Sequence, residues 1–534
     1  MGKKIFLWIL LIVLALGSIA VITEVFIPDT FNSPVESSSE IPSETESEEP
    51  SQSEIEDPVQ SETEEPSQDE SSTAEPEEPQ EPEEIIVSNA EELSSALDNA
   101  QDGAVISVPV AFSFEKPLMV ENKKITLAFT EEVTGEEISL ELKNGEIRIL
   151  NGQFNGIDIA GEGTLVLDNV SSIATENGDS GVSLAEGAII NMEIVGETTI
   201  IGAVNGDGIE VPEGTVLNLS GEKLVVKGNA GDEYSTYENY GTTDDASFEG
   251  SGSGIGDAYH GIGVITIDGM QSLTAEGYGL HAYGIGGGNN QTITIKNTTI
   301  EFARGGFATT EFYNDTKYGV TDLEGGCAIG VGIDNGNSGK IVLDNITING
   351  ANGGSKSAAI GASYWCGVEI EITNSTLIAI VGGNSSAGIG GSRVREDNPA
   401  EQVISIKIVD SIIDSMGGTY GSGIGNGYDT NCASDPSRCH IEISGNSEIT
   451  AKGGKYGAGI GTGFHTGNLT GFIAEGVVVT AQRGDIDFYK DAYTTAQNIG
   501  YGVADPSRDM LNEEITFTVA GEVIQNPVEL IGVE

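Results

Sequence analysis

Five short segments of the chain alternate apolar and polar residues with a period of two: Thr292 to Lys296 (TITIK), Lys340 to Leu343 (KIVL), Val368 to Ile372 (VEIEI), Ile404 to Ile408 (ISIKI) and His440 to Ile443 (HIEI). Alternation puts isoleucine, leucine and valine on one face of a strand, and no helical periodicity competes with it. Each segment follows a tripeptide Gly-Ile-Gly or Ala-Ile-Gly. The central residues are Ile255, Ile285, Ile329, Ile360, Ile389, Ile424 and Ile460, and a further copy at Ile262 belongs to the same repeat as Ile255. Weaker copies stand earlier, at Gly156-Ile157-Asp158-Ile159, Gly181-Val182-Ser183-Leu184 and Gly208-Ile209-Glu210-Val211. Repetition of strands at this period predicts an all-β solenoid, a single-stranded right-handed parallel β-helix over residues 86–534 with one coil per repeat. The isoleucines should point inward as a ladder, leaving the flanking glycines as a shallow, side-chain-poor outer floor.

The pattern changes at both ends of the first eighty-odd residues. Lys3 and Lys4 precede the uncharged run Ile5 to Ile22, so residues 1–30 read as a signal peptide or an N-terminal membrane anchor, and the rest as exported, secreted or cell-surface anchored. Residues 31–85 are dominated by Ser, Glu and Pro, a composition that cannot offset chain entropy by burial and predicts a disordered acidic spacer. Structure should begin with a capping box, Ser88 with Glu91, opening a short helix whose Leu93 and Leu97 cover the open end of the coil stack.

Charge narrows the partners. The chain has 23 Lys plus Arg against 84 Asp plus Glu, a formal net charge of -61. Such a field excludes nucleic acid and anionic membrane surfaces, leaving the N-terminal segment as the only membrane contact. It favours a neutral oligosaccharide or polysaccharide over a polyuronate. Cys432 and Cys439 flank one loop and could form a small disulfide in an exported protein, whereas stacking should separate Cys327 from Cys366. No cysteine and histidine spacing suits zinc. No cofactor is required, and calcium is possible because oxygen ligands abound, although no loop motif selects a site.

Two repeats are too long, and their surplus falls on the same margin. One insertion, residues 232–252, carries Tyr234, Tyr237, Tyr240, Asp244 and Asp245; the other, residues 304–326, carries Tyr313, Asp315, Tyr318 and Asp322. They precede Ile255 and Ile329, so they should rise about 10 Å apart, with Tyr278, His281 and Tyr283 on the coil between. Aromatic rings and carboxylates around a gap of that size suit a glycan, and Trp365 on the opposite margin could stack on a sugar ring. Glycosidic cleavage uses two carboxyl groups, and Asp315 and Asp322 would meet if their loop folds back, with Tyr313 and Tyr318 desolvating the acid.

The capped β-helix with Gly-Ile-Gly coils resembles exported glycan-active β-helix proteins of Gram-positive bacteria. The loop with Asp315 and Asp322 resembles that of β-helix lacto-N-biosidases, whose catalytic aspartates share the same spacing. That resemblance implies an extracellular glycoside hydrolase acting on neutral host-type glycans and releasing lacto-N-biose by a retaining mechanism, with Asp315 as acid/base and Asp322 as nucleophile. It also implies a chaperone-like helical partner, which would have to be a separate subunit because no helical domain stands in this sequence. The competing class is a non-catalytic cell-surface glycan-binding protein or adhesin displayed on the acidic spacer.

Overall fold

A computed structural model describes residues 84–114, 116–130, 137–229, 251–257, 261–288, 292–306, 325–332, 338–364, 366–393, 403–428, 439–464, 468–484, 496–503 and 515–525. They fall within one compact unit, Glu78–Glu534. Its strands form a parallel β-helix. Every named ladder is parallel except the last, where Glu522–Gln525 folds back antiparallel on Ile515–Val519 and covers the final strand edge.

The isoleucine ladder is continuous. Ile138 pairs with Ile157, then Val182, Ile209, Ile255, Ile285, Ile329, Ile360, Ile389, Ile424, Ile460 and Ile499 follow rung on rung. The rungs at Ile138 and Ile499 extend the repeat one coil beyond each end of the motif series. Ile262 stands outside it, buried beside the coil and bridged to Pro212. A second aliphatic ladder runs from Ile147 through Leu165, Met192, Leu219, Ile267, Ile295, Leu343, Ile372, Ile408 and Ile443 to Ile473. A third joins Leu224, Leu273, Ile300, Ile348, Leu377, Ile413, Ile449 and Val479. All but Val479 are fully or almost fully buried, each contributing roughly 1.5 to 3 kcal/mol of apolar burial.

The helix Ala90–Asn99 buries Leu93 and Leu97 as expected, but its cap is shifted by one residue. Asn89 is the N-cap and accepts the Glu92 amide at 2.9 Å, while the Glu92 carboxylate accepts from the Ser88 amide at 2.8 Å. Asparagine serves as well as serine at this position, and the reciprocal bond then selects Glu92 over Glu91. A strand, Glu84–Ile86, precedes the helix and pairs with Ala104–Val108.

The open glycine floor is not present, and the hydrogen bonds show why. On the coils of Ile360, Ile389, Ile424 and Ile460 the amide two residues before the ladder isoleucine donates to the carbonyl two residues after it: Ala358 to Ala362 at 3.1 Å, Ala387 to Gly391 at 2.9 Å, Ser422 to Asn426 at 3.1 Å and Ala458 to Thr462 at 3.0 Å. The backbone therefore dips into the coil with isoleucine at the inner tip, and the flanking glycines are buried. The glycine after the isoleucine lies at positive φ, 131° at Gly425 and 136° at Gly461, which side-chain-bearing residues rarely adopt.

Candidate functional site at the base of two insertions

Three strands on successive coils end in register at a charged residue. Val216–Lys227, Ser272–Glu276 and Thr299–Arg304 pair so that Glu276 lies between Lys227 and Arg304. Each is followed by a glycine, because the chain turns against its own return path: a Cβ on Gly228 would stand 2.0 Å from the Gly252 carbonyl oxygen, and one on Gly305 1.9 Å from that of Gly326. Residues 230–250 and 307–324 lie between these outgoing and returning segments. The two insertions therefore start two coils apart, about 10 Å at the usual stacking distance, flanking the coil of Tyr278.

Glu276 is 8% exposed. Its carboxylate meets Lys227 Nζ at 2.8 Å and Arg304 at 3.3 Å, and accepts the Tyr278 hydroxyl at 3.0 Å. Burial pushes the Glu276 pKa up, but the Lys227 hydrogen bond and the charges of Arg304 and Lys227 outweigh it, holding the group below the ordinary carboxylate range. The same bond raises Lys227. Arg304 lies over the Tyr278 ring, 4.3 Å from its centroid, and burial raises the Tyr278 pKa. Glu276 is thus a fixed anion, suited to orienting neighbours and unsuited to donating a proton. These three charges escaped notice because they are scattered over the sequence; aligning the coils on the glycine that ends each strand would have gathered them.

Of the residues expected on the intervening coil, Tyr278 is half-buried at this position. Tyr283 requires a correction: it is fully buried, and its hydroxyl donates to the Gly332 carbonyl at 2.7 Å and shares a 2.7 Å hydrogen bond with Ser363. Its ring is an internal pillar reaching two coils onward. His281 is also no open contact, being 6% exposed with a left-handed φ of 53°. Burial first, then the Lys356 charge, lowers its pKa from 6.5 to about 4, so it is neutral at physiological pH. Tyr234, Tyr237, Tyr240, Asp244, Asp245, Tyr313, Asp315, Tyr318, Asp322 and Trp365 lie outside the described residues, as do the N-terminal segment, Cys432 and the spacer up to residue 83; its last two expected residues, Glu84 and Ile85, belong instead to the first strand. Cys439 is disulfide-bonded, and Cys327 and Cys366 are buried thiols.

Other chemistry is distributed along the solenoid. On the N-terminal coils Glu137 is raised to about 7 by its hydrogen bond to Asp158, by burial, and by the charges of Asp158, Asp179 and Glu176. Asp207 is half-buried and held well above the carboxylate range, first by desolvation and then by Asp257. A cleft of 490 Å³ near Lys124 and Glu146 is lined by exposed groups, and those two pair at 2.7 Å. On the C-terminal coils the residues four before and four after each ladder isoleucine form two columns of rings. Tyr420 stacks on Tyr456 at 5.0 Å and Tyr428 on Phe464 at 5.5 Å. Among the described residues, no group of acidic, histidine or cysteine side chains could hold a metal ion, and no helix is long and apolar enough to cross a membrane.

Comparison with protein-family models, curated proteins and solved structures finds no match to this chain.

Proposed function

We propose that the protein is an extracellular glycan-active β-helix, a glycoside hydrolase acting on neutral host-type glycans where the two insertions leave the coil stack. The observation that carries this reading is the register of Lys227, Glu276 and Arg304, which brings the bases of both insertions together around Tyr278. Two long loops on the same margin, one on each side of a single coil, are not required by the stacking of that coil; a substrate gap between them would give them a use. Asp315 would serve as the acid/base and Asp322 as the nucleophile, releasing lacto-N-biose from substrates of the lacto-N-tetraose type. Glu276 would orient the insertion bases and leave proton transfer to those aspartates.

A second reading has its own support. Glu276 is neutralised by two cations, so the described part of the site contributes a binding surface and no acid. A non-catalytic glycan-binding protein or adhesin needs only that. The two separate by incubating the full chain with lacto-N-tetraose, mucin glycans and neutral plant polysaccharides, with and without a co-expressed helical partner. Hydrolysis that disappears in both Asp315→Asn and Asp322→Asn supports the enzyme. Binding without product under every condition leaves the adhesin, and hydrolysis that survives both substitutions removes these aspartates from the mechanism.

A further inference from the structure

We propose a second glycan site, for a neutral, extended oligosaccharide, in the cleft beside Lys124 and Glu146 on the N-terminal coils. The Ile157 coil at its centre is four coils from the Ile285 coil, about 19 Å at the usual stacking distance. The insertions precede the ladder residue of their coils, whereas the cleft residues follow it, so the two sites lie on opposite margins. The proposal does not depend on the hydrolase reading.

The cleft, 490 Å³ in volume, forms where the chain bends just after the ladder residue. The pairing of Ile138–Leu150 with Ile157–Asp168 shifts between Lys143 and Gly145, so Asn144 is an extra residue, held at a left-handed φ of 52°. Such a bulge bends the strand. Gly145 and Gly163 line the cleft without side chains because the neighbouring coil leaves no room for them. A Cβ on Gly145 would stand 2.4 Å from the Val120 carbonyl oxygen, and one on Gly163 2.4 Å from that of Gly145.

Polar groups climb this cleft one per coil. Lys124, Glu146, Thr164 and Asn191 pair rung on rung over about 14 Å, and Glu162 with Ile189 forms a second column beside them. They face outward, because Ile125, Ile147, Leu165 and Met192 next to them are buried. Their positions are fixed by the protein itself. Lys124 Nζ bonds Glu146 at 2.7 Å, Asn218 donates to Asn191 at 3.0 Å, and the Lys124 amide donates to Asp102 at 2.7 Å. Lys123 donates to the Leu97 and Ala100 carbonyls at the end of the helix. Groups already ordered lose little freedom when a ligand arrives.

The lining excludes the other ligand classes. Asp102, Glu146 and Glu162 repel an anion, Lys123 and Lys124 repel a cation, and among the described residues that line the cleft Ile189 is the one apolar side chain. Carboxylates, amides and ammonium groups have in common that each pairs with a hydroxyl, as acceptor or as donor. A pyranose is about as long as one coil spacing, so an extended chain lying along the stack presents hydroxyls to each rung in turn. No aromatic ring is among those lining residues, so affinity rests on hydrogen bonds and is modest.

The test is a saturation-transfer NMR titration of the full chain with four probes: cellotetraose, mannotetraose, glucose and tetragalacturonate. At least one neutral tetrasaccharide should bind with a Kd of roughly 1 mM, and glucose and tetragalacturonate at least tenfold more weakly. Thr164→Trp should fill the cleft and weaken the tetrasaccharide at least tenfold. Thr266→Trp, in the same outward column three coils further on and beyond the cleft, should leave binding unchanged. If Thr164→Trp fails to fold, the exposed Glu162→Ala and Asn191→Ala decide, each weakening binding about threefold or more. No binding of either neutral tetrasaccharide, equal binding of glucose or tetragalacturonate, full affinity in the cleft variants, or an equal loss in Thr266→Trp would overturn the assignment. Hydrolysis of lacto-N-tetraose by the cleft variants should be unchanged, so failure here and failure of the hydrolase reading are separate results.

Discussion

Replacing Gly425 by alanine tests the inward dip on which the architecture depends. A Cβ there would stand 1.9 Å from the Gly461 carbonyl oxygen and 2.9 Å from its carbon, both below the 3.0 Å that real Cβ contacts respect. Relief requires the next coil to withdraw by about 1 Å, a large fraction of a stacking distance of roughly 4.8 Å. That stretches the bonds from Ile424 to Gly459 at 3.0 Å and from Asn426 to Gly461 at 2.9 Å. Two weakened buried bonds at ~1 to 3 kcal/mol each, with about 1 to 3 more for alanine at φ 131°, give a loss of about 3 to 9 kcal/mol. Gly187 is the control, since its φ is 78° and an added Cβ would meet nothing within 4 Å. Gly187→Ala should cost only about 1 to 2 kcal/mol, the ordinary left-handed penalty. Urea titration followed by far-UV circular dichroism gives the overall loss. Amide exchange on the coils of Ile424 and Ile460 localises it, because a solenoid can open coil by coil. If Gly425→Ala comes within about 1 kcal/mol of Gly187→Ala, the glycine ladder is not sterically required and the description of the dip is wrong.

Tyr283→Phe should lower stability by about 1 to 3 kcal/mol, since it strips the buried Gly332 carbonyl and Ser363 hydroxyl of a partner; thermal melting measures it, and a neutral outcome would place the hydroxyl elsewhere. The lowered pKa of His281 contributes stability that is fully present above pH 6.5 and is lost as pH falls toward about 4, ~3 kcal/mol at most; in His281→Asn this acid limb should flatten in denaturation series across that window. Glu137 acts with the opposite sign: its contribution is present below the ordinary glutamate pKa and lost as pH rises through about 7, so Glu137→Gln should remove a decline between pH 5 and pH 7.5 read in the same series. Glu276→Gln leaves Lys227 and Arg304 facing each other without their shared anion; with partners 34% and 21% exposed, solvent screening reduces the loss to about 1 to 3 kcal/mol. It should also speed exchange of the Gly228 amide, which bonds the Glu276 carbonyl at 2.9 Å, and unchanged exchange would detach the ion pairs from the insertion bases.

What the sequence disclosed and what it hid follow from the range of the forces involved. Strand periodicity is local, so TITIK, VEIEI and ISIKI announced their strands, and the inward isoleucines could be counted before any coordinate was known. The direction of the glycines was another matter. A strand that alternates and a loop that dips inward present the same Gly-Ile-Gly letters; only the bond from the amide two residues before to the carbonyl two residues after distinguishes them, and that bond is set by stacking on the next coil. His281 and Tyr283 looked like floor residues, and contacts distant in sequence bury them: the Tyr283 amide donates to Ser253 Oγ on the preceding coil at 3.1 Å, and its hydroxyl reaches Gly332 and Ser363 on the next two.

The same geometry explains why chemistry on this fold is read by offset from the ladder. Residues two before the isoleucine are drawn inward, so that half-buried Asp207 becomes hard to ionise and fully buried Tyr283 becomes a pillar. Residues four away stand beside their counterparts on the neighbouring coils, and most of them are buried too: Lys356, Tyr364, Ser385, Tyr456 and Phe464 are all 9% exposed or less. What is placed there is set by packing along the column, as where Tyr420 stacks on Tyr456 and Tyr428 on Phe464, so a substitution on one coil is felt by the ring on the next.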